Sequence, residues 1–258
     1  MSERIVIKVG SNTLTNAHNK LDHHFIATLV DQIAELRSLG HEVVLVSSGA
    51  IAAGLETLDM DERPSDIPSL QACASIGQVA LVEMYGAQFG RRGFPIGQVL
   101  LTKNDTEDAT AYAHAHDTFE RLLALGAIPI VNENDTVAVE EIAFGDNDTL
   151  AALVAQLIEA DHVVILTDID GYYESDPALD PGAKRIDAVA AITDEMIADA
   201  GDAGSRLGSG GMRTKLEAAR DLMDSGIVMT LCDGRGANAV TEAVAGTSTG
   251  TVFARNLS

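Results

Sequence analysis

Basic residues are the scarcest class in this 258-residue chain: 17 Lys and Arg stand against 39 Asp and Glu, a formal net charge of −22. Lysine occupies only five positions, Lys8, Lys20, Lys103, Lys184 and Lys215. The acids are spread along the chain and form no tail. Nucleic acid and anionic membranes are therefore poor partners for its surface, because both would be repelled. Self-repulsion of this size weakens a compact state in dilute buffer, whereas at 1 M salt the Debye length falls to roughly 3 Å. The charge balance points to an intracellular protein of a high-salt organism. Cysteine is sparse too. Cys73 and Cys232 both lie inside apolar patterns, which fits structural thiols in a reducing cytoplasm and not a disulfide framework. No apolar run is long enough to span a bilayer and no signal-peptide pattern opens the chain, so a cytoplasmic location is expected. Two nucleotide motifs are also missing. G-x-x-x-x-G-K-[ST] does not occur, and the first strand–helix turn lacks the spacing of G-x-G-x-x-G, which argues against a P-loop enzyme and a Rossmann dehydrogenase.

What the chain does have is a regular alternation of short apolar runs with amphipathic stretches. Strands are expected over residues 4–9, 42–46, 94–101, 128–131, 162–166, 227–231 and 251–254. Helices are expected over 21–39, 70–89, 109–125, from about 147 to 159, 194–200, 212–223, and briefly before the last strand. Gly40 is placed to close its helix in the left-handed conformation. The pairs Asp176-Pro177 and Asp180-Pro181 mark loops. Such alternation implies an α/β fold: a three-layer αβα sandwich around a mostly parallel central sheet. The length suits one large domain or two intimate lobes.

Polar residues gather at the ends of the buried elements, where open α/β sheets bind ligands. Asn132-Glu133-Asn134-Asp135 follows one strand, and Asp146-Asn147-Asp148 opens a helix whose apolar face is Leu150, Leu153, Val154, Leu157 and Ile158. Asp146 or Asn147 is the natural N-cap, and Asp148 falls in the first turn, where the macrodipole favours a carboxylate. Glycine turns at Gly10-Ser11, Ser48-Gly49, Gly145-Asp146 and Gly208 to Gly211 would let backbone N–H groups approach an anion, although each alone is an ordinary turn. Lys8 interrupts the strand pattern Ile5-Val6-Ile7-Lys8-Val9. Turned inward it needs an anionic partner, and Asp148 or a phosphate would serve; the alternative is an edge-strand lysine reaching water. His114 and His116, two apart on a helix, point to different sides and make a shared metal site a poor reading. His23-His24 reads as solvated surface, and Tyr172 and Tyr173 either pack in the core or lie near a nucleotide base.

Six ordered segments carry a resemblance: KVGSNTL (8–14), SSGAIAAG (47–54), VNEND (131–135), FGDND (144–148), LTDIDG (166–171) and GSGGMRTK (208–215). Together they resemble the amino acid kinase family, over essentially the whole chain and most closely its members acting on glutamate. The resemblance implies ATP-dependent phosphorylation of the γ-carboxylate of L-glutamate, the first step of proline biosynthesis, with Mg²⁺ bridging the nucleotide phosphates. It implies a single kinase domain over 1–258, with an N-terminal lobe (about 1–160) for the amino acid and a C-terminal lobe (about 161–258) for ATP. Many such enzymes carry a further C-terminal RNA-binding-like (PUA) domain, and the kinase core alone is expected here. Lys8, Lys215 and Asp148 take the catalytic roles, with Asp148 orienting the two lysines. Ser48, Gly49, Asp135 and Asn147 are assigned to the amino acid. Lys8, Gly10, Thr167, Asp168, Ser209, Gly210, Gly211, Met212, Arg213, Thr214 and Lys215 are assigned to ATP. A homo-oligomer, and proline as a feedback inhibitor, are implied in the same way. The competing readings are a related kinase acting on N-acetylglutamate, aspartate or UMP, and a non-catalytic sensor of nucleotide or amino acid. Joint retention of Lys8, Lys215 and Asp148 speaks against the sensor.

Overall fold

The computed structural model describes residues 2–16, 19–138, 147–201 and 211–256. Eight of the described strands form one sheet in the order β3-β4-β2-β1-β5-β9-β10-β8. These are β1 (Arg4–Val9), β2 (Glu42–Ser47), β3 (Ile96–Leu101), β4 (Ile128–Glu133), β5 (His162–Thr167), β8 (Ala188–Val189), β9 (Val228–Asp233) and β10 (Thr251–Phe253). From β3 to β9 every pairing is parallel, and β10 runs antiparallel to β9. The expected strands are present with ends displaced by a residue or two; the third starts at Ile96 rather than Phe94. Three two-residue strands went unforeseen. β8 extends the main sheet, while β6 (Tyr172–Tyr173) pairs antiparallel with β7 (Arg185–Ile186). Two residues are too few to show a period of two.

Ten described helices cover the sheet or its ends: α1 (Ser11–Leu14), α2 (His23–Ser38), α3 (Ala50–Thr57), α4 (Ile67–Arg91), α5 (Lys103–Glu107), α6 (Ala109–Ala124), α7 (Asn147–Leu157), α8 (Asp194–Gly201), α9 (Met212–Asp224) and α10 (Ala239–Val244). Strand alternation divides the core in two. Ile5, Ile7 and Val9 pack with Val43, Leu45, Val164 and Leu166 against α2, α4 and α10. Val6 packs with Val44, Val46, Val163 and Ile165 against α6, α7 and α9. Lys8 shares the second face by alternation. Because β1 lies between β2 and β5, Lys8 is central in the sheet, and the edge-strand alternative is corrected.

Two glycines set the depth of one helix pair. A Cβ at Gly54 would lie 1.9 Å from the Cys73 carbonyl oxygen, and one at Gly77 would lie 1.8 Å from that of Ala50. The backbones of α3 and α4 therefore touch. Gly40 ends α2 with φ +94°, as its position after the helix suggested. Both cysteines are buried free thiols, and burial pushes Cys232 up to about 12.

Candidate active site at the carboxyl edge of the sheet

Parallel pairing brings the C-terminal ends of β1, β2, β4, β5 and β9 to one edge, with Val9 beside both Ser47 and Leu166, and Thr167 beside Asp233. On the face covered by α7 and α9, Lys8 meets the first turn of α7. Its Nζ lies 2.5 Å from Asp148 Oδ1, and Lys215 Nζ lies 2.9 Å from Asp148 Oδ2. Each lysine is 5% exposed and Asp148 is fully buried. Burial alone would push the Asp148 carboxyl up, but the Lys8 and Lys215 charges outweigh it and hold the group at about 2. One anion thus gathers two cations at the sheet edge. That arrangement suits an incoming anion.

Local sequence holds the cluster in place. Leu216, Ala218, Ala219, Leu222 and Met223 form the buried face of α9 and seat Lys215 in its first turn. Thr214 Oγ1 donates to the Gly211 carbonyl at 2.9 Å and lies 3.3 Å from Asp148 Oδ2. Met212 is half-buried against the core on the same helix. Arg213 points outward and pairs with Glu217 at 3.0 Å. Asn147 Nδ2 lies 2.9 Å from Ser48 Oγ and 3.1 Å from the Ser47 carbonyl oxygen, joining the start of α7 to the end of β2. Gly49 follows with φ +92°, a conformation that an L side chain resists.

Across β1, the end of β5 carries Thr167 and the exposed Asp168. Thr167 Oγ1 donates to Asp168 Oδ1 at 3.2 Å, and Asn12 Nδ2 donates to Asp168 Oδ2 at 3.2 Å. Asp135 is half-buried in the turn after β4. Burial raises its carboxyl to about 6, opposed by the charge of Arg63. Among the described residues it makes no hydrogen bond.

One expectation needs correction. The Gly10 N–H donates to the Leu166 carbonyl at 3.2 Å, so it is not a spare donor for an anion. A Cβ there would stand 3.7 Å from Lys8 Nζ, an ordinary contact, so space alone does not require glycine at this position. Ser209 and Gly210, like Asp146 and Gly145, lie outside the described residues. Tyr172 packs against Phe253, with ring centroids 6.3 Å apart, while Tyr173 donates to Asp170 at 2.7 Å. Gln78, Asn12 and Arg63 at this edge were not singled out from sequence. Gln78 sits in the middle of a long helix, and Asn12 and Arg63 lie in short segments without periodic signal.

Residues 3–233 match the amino acid kinase family. The chain is 50% identical over 250 residues to the glutamate 5-kinase of Cupriavidus pinatubonensis, covering 97% of this chain and 67% of that protein. It is 48% identical over 251 residues to the glutamate 5-kinase of Geobacter metallireducens, with the same coverage. Among solved structures it resembles a carbamate kinase from Giardia lamblia bound to AMP-PNP (TM-score 0.69, 18% identity, 99% of both chains). It also resembles the UMP kinase from Ureaplasma parvum (TM-score 0.62, 19% identity, 98% of both chains). At these identities the two structures speak for the fold alone.

Proposed function

The chain belongs to the amino acid kinase family, and on that premise we propose that it phosphorylates the γ-carboxylate of L-glutamate with ATP, the first step of proline biosynthesis. The product is γ-glutamyl phosphate. The observation that carries the reading is the buried Lys8–Asp148–Lys215 cluster, two ammonium groups fixed on one carboxylate at the carboxyl edge of the sheet.

The chemistry follows from charge. A glutamate side chain is ionised at neutral pH, so its attack on phosphorus needs no general base. A γ-carboxylate oxygen forms a bond to the γ-phosphorus as the bond to the bridging oxygen breaks, and ADP departs with the electron pair. What the protein must supply is alignment and relief of repulsion between two anions. Lys8 and Lys215 act on the transferring phosphoryl oxygens, and Asp148 holds their ammonium groups in position. Ser48, Gly49, Asn147 and Asp135 take the amino acid, with Asp135 meeting the α-ammonium group. Gly10, Thr167, Asp168 and the segment 209–215 take ATP. The amino acid is assigned to the lobe of residues 1–160 and the nucleotide to that of 161–258. A cationic cluster fits phosphate oxygens better than a bare divalent ion, so Mg²⁺ would come with the nucleotide and neutralise its phosphates.

The same reading makes the enzyme a cytoplasmic, salt-adapted homo-oligomer subject to feedback by proline. Its acidity supports the salt adaptation, and the family supports the rest. The test is acyl-phosphate trapping with hydroxylamine in molar salt, using glutamate, N-acetylglutamate and aspartate in turn. Hydroxamate is expected with glutamate and not with N-acetylglutamate, which lacks the ammonium group for Asp135. Equal yields from both would overturn the acceptor, and absence of ATP turnover would overturn the kinase.

A further inference from the structure

Gln78, in α4, ends a row of three buried carboxamides whose polarity the structure determines. The Glu133 backbone N–H lies 2.9 Å from Asn132 Oδ1, and a backbone N–H can only donate, so that atom of Asn132 is its oxygen. The Ser47 carbonyl lies 3.1 Å from Asn147 and can only accept, so Asn147 presents its nitrogen there. Asn147 Nδ2 accordingly donates to Asn132 Oδ1 at 3.1 Å, and Asn132 Nδ2 donates to Gln78 Oε1 at 2.9 Å. The row leaves Gln78 Nε2 as its terminal donor. That atom is buried and has no acceptor among the described residues. A buried donor left unmet carries its full desolvation penalty, and such groups in folded proteins call for an explanation.

The surroundings supply one. The far end of the row is Ser48 Oγ, 2.9 Å from Asn147 Nδ2, and Asn147 immediately precedes Asp148. Gln78 cannot withdraw with its helix, because Gly77 beside it lies against the Ala50 carbonyl on α3. A buried, uncharged N–H donor at the end of this row selects an acceptor atom, and a carboxylate oxygen is the strongest.

We propose that Gln78 is a substrate-binding residue whose Nε2 donates to a carboxylate oxygen of the bound amino acid. The inference rests on the acceptor reading given above. It makes Gln78 part of what distinguishes a dicarboxylic amino acid from other phosphoryl acceptors.

Two variants separate binding from scaffolding. Gln78→Glu keeps an oxygen for Asn132 and replaces the donor with a second acceptor; Gln78→Met removes both without adding charge. In each, the KM for glutamate should rise by about tenfold or more, with the KM for ATP little changed. Glutamate alone should raise the melting temperature of the wild type and fail to raise that of the variants, while Mg·ATP stabilises all three. A Gln78→Met protein with an unchanged glutamate KM and an intact glutamate-induced shift would overturn the inference, and so would parallel rises in both KM values. If the wild type neither uses glutamate nor is stabilised by it, the acceptor reading falls and this inference with it. If the wild type uses glutamate and Gln78→Met binds it equally well, the inference alone falls.

Discussion

Asp148 faces a lysine ammonium group at each of its oxygens, and its removal takes a carboxylate from two buried lysines at once. Replacing it by Asn should impair turnover as strongly as replacing either lysine, because the ammonium groups lose their common anchor. Lys8→Ala and Lys215→Ala should each lower kcat by around 10²–10³ while leaving the KM for glutamate nearly unchanged. Steady-state kinetics in molar salt reads both numbers, and near-normal kcat in all three variants would sink the assignment. Asp135 behaves differently. Its carboxyl is raised to about 6 because burial disfavours the charged form. Below about pH 6 the free protein favours the protonated form, so this group's contribution to stability is present at low pH and is lost as pH rises through about 6. A bound ammonium group needs the ionised form, so glutamate affinity has the opposite dependence. The KM for glutamate should climb roughly tenfold per unit below about pH 6. Asp135→Asn should raise that KM at neutral pH and flatten its pH profile; a wild-type KM constant from pH 7 to 5 would refute the role.

At the scale of elements, the contact between α3 and α4 supports both Ser48–Gly49 and Gln78. A Cβ at Gly77 would meet the Ala50 carbonyl oxygen at 1.8 Å and the Gly54 nitrogen at 2.2 Å, so Gly77→Ala must part the helices. The cost expected of such overpacking is about 1–3 kcal/mol, at about 2–4 °C in melting temperature per kcal/mol. Gly90 provides the contrast on the same helix, since a Cβ there meets nothing within 4 Å. Gly90→Ala should be neutral or stabilising by up to about 1 kcal/mol. Thermal melts of the two variants decide this, and equal melting temperatures would refute the packing role. Helix α7 has the opposite character. It brings Asn147 and Asp148 to the carboxyl edge, and Leu150, Val154 and Leu157 bury the rest of it in the core.

For the whole molecule the governing quantity is a net charge of −22. Lowering KCl from molar to about 0.1 M lengthens the Debye length from roughly 3 to 10 Å and restores repulsion among the acids. Activity and melting temperature should both fall along that series. Full activity with an unchanged melting temperature at low salt would refute the salt-adapted reading.

Sequence by itself determined the α/β alternation, the polar clusters at strand ends and the need of an inward Lys8 for an anion, with Asp148 one of two candidates. These are legible because strand and helix periods are local, and because a lysine turned inward from an apolar strand needs an anion. It also carried the family, since six motifs in order are a property of the chain and not of its packing. Only the tertiary structure decided that β1 is central, that Gly10 spends its N–H on Leu166, and that Gly54 and Gly77 let two helices touch. It alone brought Gln78 of α4 within reach of Asn132, 54 positions away, and it set Lys215 Nζ 2.9 Å from Asp148, 67 positions away, where the family resemblance had implied only that the two act together. Contacts at such separations depend on strand order and helix depth. Neither leaves a periodic trace, so a glutamine in the middle of a helix looks like any other until the fold shows what its nitrogen lacks.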